Sequence, residues 1–441
     1  MKRWNLSHYA ISSCVTAALL AGCGGSQPPI GAPGGAVQAP ASAPAQAPLH
    51  RALPSSSSYH LLYRFPGYAN GGFGPLASLI DVNGTLYGTT KYGGGSTNCV
   101  GGCGTVFSLD TSGNEKVLHS FTGGSDGAYP AVALLNVSGM LYGTTEKGGT
   151  NCTDGCGTVY SISASGSENV LHSFGAGSDG QNPLASLTDV NGTLYGTTLY
   201  GGEYSNGTVY SITTSGAEQV LHSFCANSDG CLPSGGLIGV NGTLYGTTPQ
   251  GGGNGCSGTG CGTVYSVSAS GSEKVLYRFA GGSDGQSPGG SLVNVNGTLY
   301  GTTTRGGGTG CDDYGCGTAY SLTTTGTEQV MHSFAGGRDG ALPQAGLIDV
   351  NGTLYGTTVS GGGTPCIVDP WLPVHGCGTI YSVTTSGGEK VRFRFKSEYV
   401  GEPAESLVNV GSALYGTTPR TSNRKCGAHG MTCGTVFAFT L

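Results

Sequence analysis

One pentapeptide, Leu-Tyr-Gly-Thr-Thr, recurs seven times along the 441 residues, and this recurrence limits the chain to a repeat fold. The copies begin at Leu86, Leu141, Leu194, Leu244, Leu299, Leu354 and Leu414. The intervals between them are 55, 53, 50, 55, 55 and 60 residues, about twice the length of a solenoid coil. Each repeat is therefore expected to be one supersecondary unit that packs against its neighbours.

Two β-hairpins are predicted in every repeat. In the first, a short apolar run and the pentapeptide flank an Asn-Gly turn, with Ser138-Gly139 and Gly411-Ser412 in two copies. Asn-Gly between apolar runs is typical of a type I′ turn, in which both central residues have positive φ. In the second hairpin of repeat 1, a strand that starts at Gly104 turns at 111–113 and returns over 115–121. Four short antiparallel strands, A to D, are typical of a propeller blade.

The two ends of the chain supply complementary parts of one repeat. After the seventh pentapeptide only a strand C remains, at 434–441, whereas residues 60–65 match the strand D segment 116–121. We therefore predict an all-β, seven-bladed β-propeller whose last blade is closed by the N-terminal strand. The 85 glycines exclude a helical bundle, because glycine costs about 1 kcal/mol per helix position relative to alanine.

The N-terminus has the pattern of an export signal. Lys2 and Arg3 precede an apolar stretch at 10–21, and the stretch ends in Leu-Ala-Gly-Cys23, which resembles the bacterial lipobox. We predict a signal peptide at 1–22, a lipidated Cys23 with a flexible linker at 23–58, and the propeller at 59–441. An ordinary signal peptide with a chance cysteine is the alternative. The prediction makes the protein an outer-membrane or cell-surface lipoprotein, held to the bilayer by its acyl anchor.

The full repeat pattern combines Leu-Tyr-Gly-Thr-Thr, a Gly-Gly pair, Cys before Gly-Thr-Val-Phe, Leu-His-Ser-Phe, and Asp-Gly followed by Pro. This pattern resembles that of the bacterial GloVer tandem-repeat (choice-of-anchor) family over residues 59–441. The resemblance implies a propeller-like protein anchored at the cell surface, and it carries no activity over. The seventh repeat departs from the pattern, because Tyr-Val-Gly-Glu-Pro at 399–403 replaces Asp-Gly-x-x-Pro.

Fourteen cysteines after Cys23 fall into seven near pairs. The pairs are Cys99/Cys103, Cys152/Cys156, Cys225/Cys231, Cys256/Cys261, Cys311/Cys316, Cys366/Cys377 and Cys426/Cys433. Six pairs lie between strands B and C, and repeat 3 has its pair between strands D and A instead. In a given loop, the two cysteines are either both present or both absent from one repeat to the next. This favours local disulfides, which an exported protein can keep. Metal binding is the rival interpretation, but structural zinc needs four ligands and each pair belongs to a different blade. We expect no metal and no cofactor.

Histidine, aspartate and glutamate recur at fixed places near strand D. Histidines 119, 172, 222 and 332 share one place, which Tyr63, Tyr277 and Phe393 take in other copies, so we expect packing rather than metal ligation. The Asp-Gly aspartates 126, 179, 229, 284 and 339 are expected to cap turns, with calcium or a sugar as the alternative ligand. The glutamates that open strand D are expected to face solvent; they are Glu115, Glu168, Glu218, Glu273, Glu328 and Glu389.

The loop ends of the blades are the predicted functional face. Tight A–B and C–D turns lie at one end, whereas the B–C and D–A loops, with all the length variation, lie at the other. The candidate ligand-binding residues are Lys91, Tyr92, Lys147, Tyr200, Gln250, Arg305, Trp371 and Arg420. The alternative is that these are merely tolerant loop positions.

A monomeric, non-catalytic binding or scaffold module for a glycan or protein is the function that these patterns favour. The alternative is a propeller enzyme, a glycan hydrolase or lyase, with its site at the channel mouth. Such an enzyme would need clustered acids there, and of the residues that follow the pentapeptides only Glu146 is a carboxylate. With 18 Lys and Arg against 24 Asp and Glu, the chain offers no basic surface for nucleic acid.

Overall fold

Seven antiparallel sheets, each with four blade strands A to D, make up the fold. Neighbouring blade strands of a sheet are consecutive along the chain, except that the first strand of the chain completes the last sheet, and the sheet of blade 5 has one additional short strand. The computed structural model describes residues 58–67, 71–153, 155–175, 177–226, 228–308, 310–311, 314–363, 366, 376–396, 401–419 and 433–441. The predicted signal peptide, Cys23, nearly all of the linker, Trp371, Arg420 and Cys426 lie outside these residues.

The strands have the same bounds, to within a residue or two, in every blade. Strands A are Ile80–Val82, Leu135–Val137, Thr188–Val190, Ile238–Val240, Val293–Val295, Ile348–Val350 and Val408–Val410. Strands B are Thr85–Thr90, Met140–Thr145, Thr193–Thr198, Thr243–Thr248, Thr298–Arg305, Thr353–Thr358 and Ala413–Thr418. Strands C are Thr105–Asp110, Thr158–Ile162, Thr208–Thr213, Thr263–Ser268, Thr318–Thr323, Thr379–Thr384 and Thr435–Thr440. Strands D of blades 1 to 6 are Glu115–Ser120, Glu168–Ser173, Glu218–Ser223, Glu273–Arg278, Glu328–Ser333 and Glu389–Arg394.

The loops carry a few short elements of their own. Extra strands are Gly72–Phe73, Tyr92–Gly93 and Gln286–Pro288, and short 3₁₀ helices are Gly177–Asp179, Cys256–Gly258 and Gly282–Asp284.

The seven strands A form the innermost ring. Each contacts strand A of the blade before it and of the blade after it, and strand A of blade 7 contacts strand A of blade 1. The predicted all-β, seven-bladed propeller is confirmed. The last sheet includes the N-terminal strand Tyr59–Arg64, which pairs antiparallel with Thr435–Thr440 as that blade's strand D.

The A–B turns follow the predicted chemistry. The first turn residue has φ between 51° and 56° in six blades, and the glycine after it is also at positive φ, as a type I′ turn requires. Asp81 caps the first of these turns, because its Oδ1 accepts the Gly84 N–H at 2.9 Å. In blade 7 only Gly411 of the Gly411-Ser412 pair has positive φ, which fits a type II′ turn.

The core lies between blades rather than inside each one. A phenylalanine at the end of strand D packs edge-to-face on an aromatic ring in strand C of the next blade, with centroids 4.8–5.3 Å apart. The pairs are Phe65–Phe107, Phe121–Tyr160, Phe174–Tyr210, Phe224–Tyr265, Phe279–Tyr320, Phe334–Tyr381 and Phe395–Phe437. Each such pair adds about 1 kcal/mol beyond its buried area, and the first pair joins blade 7 to blade 1.

Candidate functional site

The B–C and D–A loops meet at one end of the propeller, as predicted. In each of six blades, the second residue after the pentapeptide pairs with the D–A loop that enters the same blade. The pairs are Tyr92 with Phe73, Lys147 with Ala128, Tyr200 with Gln181, Gln250 with Cys231, Arg305 with Gln286 and Ser360 with Ala341. Five predicted ligand-binding residues therefore share one slot, repeated round the ring, and all five are half-buried.

The second threonine of the pentapeptide holds this loop in shape. In blade 3, Thr198 Oγ1 lies 2.8 Å from Thr208 Oγ1 and 2.9 Å from the carbonyl oxygen of Tyr200. The threonine–threonine contact recurs in all seven blades at 2.7–2.9 Å. The start of strand C is thereby tied to the end of strand B, and the loop residues after the pentapeptide are presented at fixed positions.

A second set of variable residues precedes the proline of each D–A loop, and the sequence analysis did not single it out. These residues adopt the left-handed conformation, with φ between 56° and 66°; they are Gly74, Tyr129, Asn182, Leu232, Ser287, Leu342 and Glu402. Their N–H groups donate to the residue that precedes the glycine of strand C, for example Tyr129 to the Cys103 carbonyl at 2.8 Å. A non-glycine residue in this conformation costs about 1 kcal/mol or more, and such strain concentrates at functional sites. The residue before each recurring proline was the available sequence signal.

At blades 1 and 2 the loop face breaks the sevenfold pattern with an aromatic cluster. Tyr92 stacks on Phe73 at a centroid distance of 5.3 Å and meets Tyr129 at 5.7 Å. The Lys91 ammonium lies 5.9 Å from the centre of the Tyr129 ring and 2.5 Å from Oε2 of Glu146. Burial, with the nearby Tyr92 hydroxyl, raises the pKa of Tyr129. The structure thus brings the predicted residues Lys91 and Tyr92 together with three residues that the prediction did not include, Phe73, Tyr129 and Glu146.

A polar cleft adjoins this cluster. It has a volume of about 430 Å³ and is lined by Lys147, the side chains of Asn151, Gln181 and Asn182, and the Cys152–Cys156 disulfide, among others. Its size lies within the range of small-ligand sites. The amide Nδ2 of Asn182 donates to the carbonyl oxygen of Glu146 at 3.0 Å, so Glu146 links the lining of the cleft to Lys91 of the aromatic cluster. The other described candidates, Tyr200, Gln250 and Arg305, line neither feature.

One glutamate stands out just before the innermost strand of blade 7. Glu405 occupies a slot that holds Ala77, Val132, Ala185, Gly235, Gly290 and Ala345 in the other blades. Burial raises the pKa of Glu405 to about 8, against the opposing effect of a hydrogen bond with Ser78. The sequence analysis looked for acids only after the pentapeptides and missed this one, although comparison of the D–A loops would have found it.

Disulfides brace the loop face. Cysteines join in six of the seven predicted pairs; these are Cys99–Cys103, Cys152–Cys156, Cys225–Cys231, Cys256–Cys261, Cys311–Cys316 and Cys366–Cys377. Cys433 is also disulfide-bonded, and its predicted partner Cys426 is not among the described residues. This many disulfides fits an oxidising, extracellular environment.

The histidines do pack as expected, but packing is only part of their role. The ring of His222 lies edge-on to Phe224 at 4.7 Å, and its Nε2 is 2.9 Å from Oδ2 of Asp229. The other oxygen of Asp229 accepts the Cys225 N–H at 3.0 Å, so the aspartate both caps the turn, as predicted, and pairs with histidine. The same pairing occurs at His119–Asp126, His172–Asp179 and His332–Asp339.

The expectation that the strand D glutamates face solvent is wrong. Glu218 is half-buried, and its Oε1 is shielded from solvent. Burial and the Asp179 carboxylate of the preceding blade raise the pKa of Glu218 to about 7. A β-bulge in every C–D pair accounts for the error, because a bulge bends and twists the strand that carries it; in blade 3 the register shifts between Val209 and Tyr210.

A seven-bladed β-propeller with its variable, disulfide-braced loops gathered at one end is the class of protein that this fold and site define. The chain belongs to the Gloeobacter/Verrucomicrobia repeat family, whose model matches residues 43–260 and, overlapping them, 153–368. This agrees with the family resemblance in the sequence. No curated protein matches the chain.

Several solved structures share a distant likeness with the chain. A europium-containing methanol dehydrogenase is 10% identical with a TM-score of 0.48, over 88% of this chain and 94% of that one. The GH74 enzyme of Niastella koreensis is 13% identical with a TM-score of 0.45, over 78% and 50%. A gluconolactonase of Xanthomonas campestris is 16% identical with a TM-score of 0.37, over 64% and 78%. These likenesses carry no argument about function.

Within the part of the chain that the structure describes, no helix has the length and apolar character to cross a membrane.

Proposed function

We propose that this protein is an exported, membrane-anchored propeller that binds a glycan at the loop face of blades 1 to 3, without catalysing a reaction on it. The aromatic cluster of Phe73, Tyr92 and Tyr129, linked to the polar cleft through Glu146, is the observation that supports this proposal. The half-buried rings of Tyr92 and Tyr129, with the buried Phe73 packed against Tyr92, suit the apolar faces of sugar rings, and the amides and ammonium groups suit their hydroxyls. The lipobox at Cys23 supports the anchor.

Several features favour binding at this place over the rest of the ring. The aromatic cluster and the cleft break the symmetry that the other loops keep, and a specific ligand needs a non-repeated surface. The Lys91–Glu146 pair and the Cys152–Cys156 disulfide fix the surroundings before a ligand arrives, and a preformed site loses less entropy on binding. A protein ligand on the same surface is the other possibility, and the same variants would test it.

The test is a glycan-array screen with the full chain in mild detergent, followed by titration calorimetry with the best oligosaccharide. We expect Tyr92→Ala and Tyr129→Ala each to weaken binding at least tenfold. Tyr314→Ala is the matched control, because Tyr314 is an exposed loop-face tyrosine of blade 5, outside the cluster and outside blades 1 to 3. Unchanged affinity in both cluster variants, or no glycan bound on the array, would contradict the proposal.

The enzyme alternative draws on one observation, the half-buried Glu405 with its raised pKa, since perturbed carboxyl groups cluster at active sites. Incubation of a bound oligosaccharide with the full chain separates the two functions. We expect the sugar to be recovered intact. Hydrolysis or elimination that Glu405→Gln abolishes would favour the enzyme.

A further inference from the structure

At three junctions between the outer strands of neighbouring blades, one histidine lies close to two carboxylates. At the junction of blades 2 and 3, His172 Nε2 lies 3.1 Å from Asp179 Oδ1, and Glu218 comes from strand D of the next blade. The ligand atoms of the three residues all lie within 4.8 Å of one another. Two further junctions have the same arrangement, His222 with Asp229 and Glu273, and His332 with Asp339 and Glu389.

In each of these three junctions, one carboxylate oxygen of the glutamate has no hydrogen-bond partner among the described residues. This oxygen is Oε1 of Glu218, Glu273 and Glu389, and it is shielded from solvent. Two carboxylates at this separation repel each other unless a proton or a cation lies between them. Arg278 and Arg394 act on the Glu273 and Glu389 carboxylates and relieve part of this repulsion. The Glu218 junction has the greatest excess of negative charge.

The residues at the histidine and glutamate positions differ between junctions, and at one junction both positions differ at once. At the junction of blades 6 and 7, Phe393 stands where others have histidine and Tyr59 stands where others have glutamate. Their rings stack at 4.5 Å with an angle of 3° between the planes. At the junction of blades 4 and 5 tyrosine replaces histidine, and the Tyr277 hydroxyl donates to Asp284 Oδ1 at 2.7 Å. The polar set and the aromatic pair are thus alternative ways to join two blades.

We propose that the three junctions of His172, His222 and His332 are divalent zinc-type sites that clamp neighbouring blades together at the rim. A histidine nitrogen and two carboxylate oxygens are ligand types that zinc binds, and water would take the fourth position, as in zinc sites that keep one position open. The histidine side chains are 18–22% exposed, so water can reach the ion. Zinc ligands lie about 2.0–2.2 Å from the metal, so closing the set on one ion needs shifts of less than about 1 Å. Calcium, with six to eight oxygen ligands, fits less well.

The experiment counts bound zinc. The full chain is stripped with a chelator, loaded with zinc chloride, freed of excess by gel filtration, and analysed by mass spectrometry for zinc per chain. We expect Glu218→Gln, Glu273→Gln and Glu389→Gln each to lose one equivalent. Glu328→Gln, at the junction that has tyrosine instead of histidine, is the matched control and should lose none.

A variant that adds a site shows that a loss of zinc in the glutamine variants does not come from misfolding. Tyr277→His completes the histidine and carboxylate set with Asp284 and Glu328, so we expect one additional zinc per chain. Zinc should also raise the melting temperature of the wild-type chain, because it binds the folded state, and this rise should shrink in the triple glutamine variant. Equal zinc in the wild type and the three single variants, or an equal loss in Glu328→Gln, would overturn the proposal. Failure of this test would leave the glycan proposal untouched, because the rim and the cleft share no residue.

Discussion

The glycine of the pentapeptide is required by close packing rather than by backbone conformation. In blade 3, Gly196 pairs across the sheet with Tyr210, and a Cβ at Gly196 would lie 2.5 Å from the Tyr210 hydroxyl oxygen and 2.9 Å from Leu187. The equivalent glycine meets the strand C aromatic ring in every blade. The recurrence of Leu-Tyr-Gly could be read from the sequence, but the partner ring could be assigned only once the register was known.

Substitution at Gly196 tests this packing. We expect Gly196→Ala to lower the free energy of unfolding by about 2 kcal/mol, because the added methyl group overpacks a buried ring. Gly289→Ala is the control, since a Cβ there would meet only the Ser234 hydroxyl, at 3.9 Å. Urea denaturation with the disulfides intact measures both. Equal stability of the two variants would show that the Tyr210 ring does not rest on Gly196.

Glu405 makes stability depend on pH. Its pKa is about 8 in the folded chain against 4.5 for an unperturbed glutamate, so between these values the folded state holds a proton that the unfolded state releases. Stability should therefore fall as the pH rises from about 4.5 to 8. We expect Glu405→Gln to be more stable than the wild type by about 4–5 kcal/mol at pH 8.5 and equal to it at pH 4. Urea midpoints across this range measure the difference, and parallel curves would contradict the assigned burial.

At the scale of the strands, the two threonines of the pentapeptide have different partners in blade 3. Thr198 Oγ1 contacts Thr208 Oγ1 and the Tyr200 carbonyl, and it also accepts the Thr208 N–H at 3.2 Å. The neighbouring Thr197 Oγ1 is buried and makes no hydrogen bond among the described residues. One hydroxyl therefore joins strands B and C, and the other does not.

These neighbours form a matched pair of variants. We expect Thr198→Val to lower the free energy of unfolding by about 2 kcal/mol, because it removes the Thr198 hydroxyl that contacts the buried Thr208 hydroxyl and accepts the Thr208 N–H. Thr197→Val should be neutral or slightly stabilising, since it removes a buried hydroxyl that has no partner. Chemical denaturation of both variants decides the matter. A larger loss in Thr197→Val would reverse the assignment.

The hairpins could be predicted from the sequence because turn chemistry and strand alternation are local. The junctions of His172, Asp179 and Glu218 could not, because they depend on how far each outer strand twists toward the blade before it. The sequence analysis weighed packing of the four histidines against metal ligation and favoured packing. It did not consider that one histidine could meet carboxylates from its own loop and from the next blade.

At the scale of the whole molecule, the number of blades could be predicted from the number of repeats. The position of the candidate ligand-binding site on the ring could not. The prediction placed candidates in every repeat, two in the first and one in each of the others, because the residues after the pentapeptides differ in every repeat. The structure groups Lys91 and Tyr92 with Tyr129, and Lys147 with Asn182, because the variable residues before the prolines lie between blades. Which variable residues meet depends on the angle between blades, and the linear order of the residues does not contain that angle.

The claim on which the faces, the junctions and the site all depend is that the two chain ends pair in one blade. His60 lies directly opposite Ala438 in the last blade, so cysteines at both positions fall within disulfide reach. We expect the His60→Cys, Ala438→Cys double variant to yield a cross-linked peptide between the two ends, detected by mass spectrometry of a non-reduced digest. The control joins Lys116→Cys, at the same place in blade 1, with Ala438→Cys, and should give no cross-link between these positions. A cross-link in the control, or free thiols at 60 and 438, would contradict a ring closed by its own N-terminal strand.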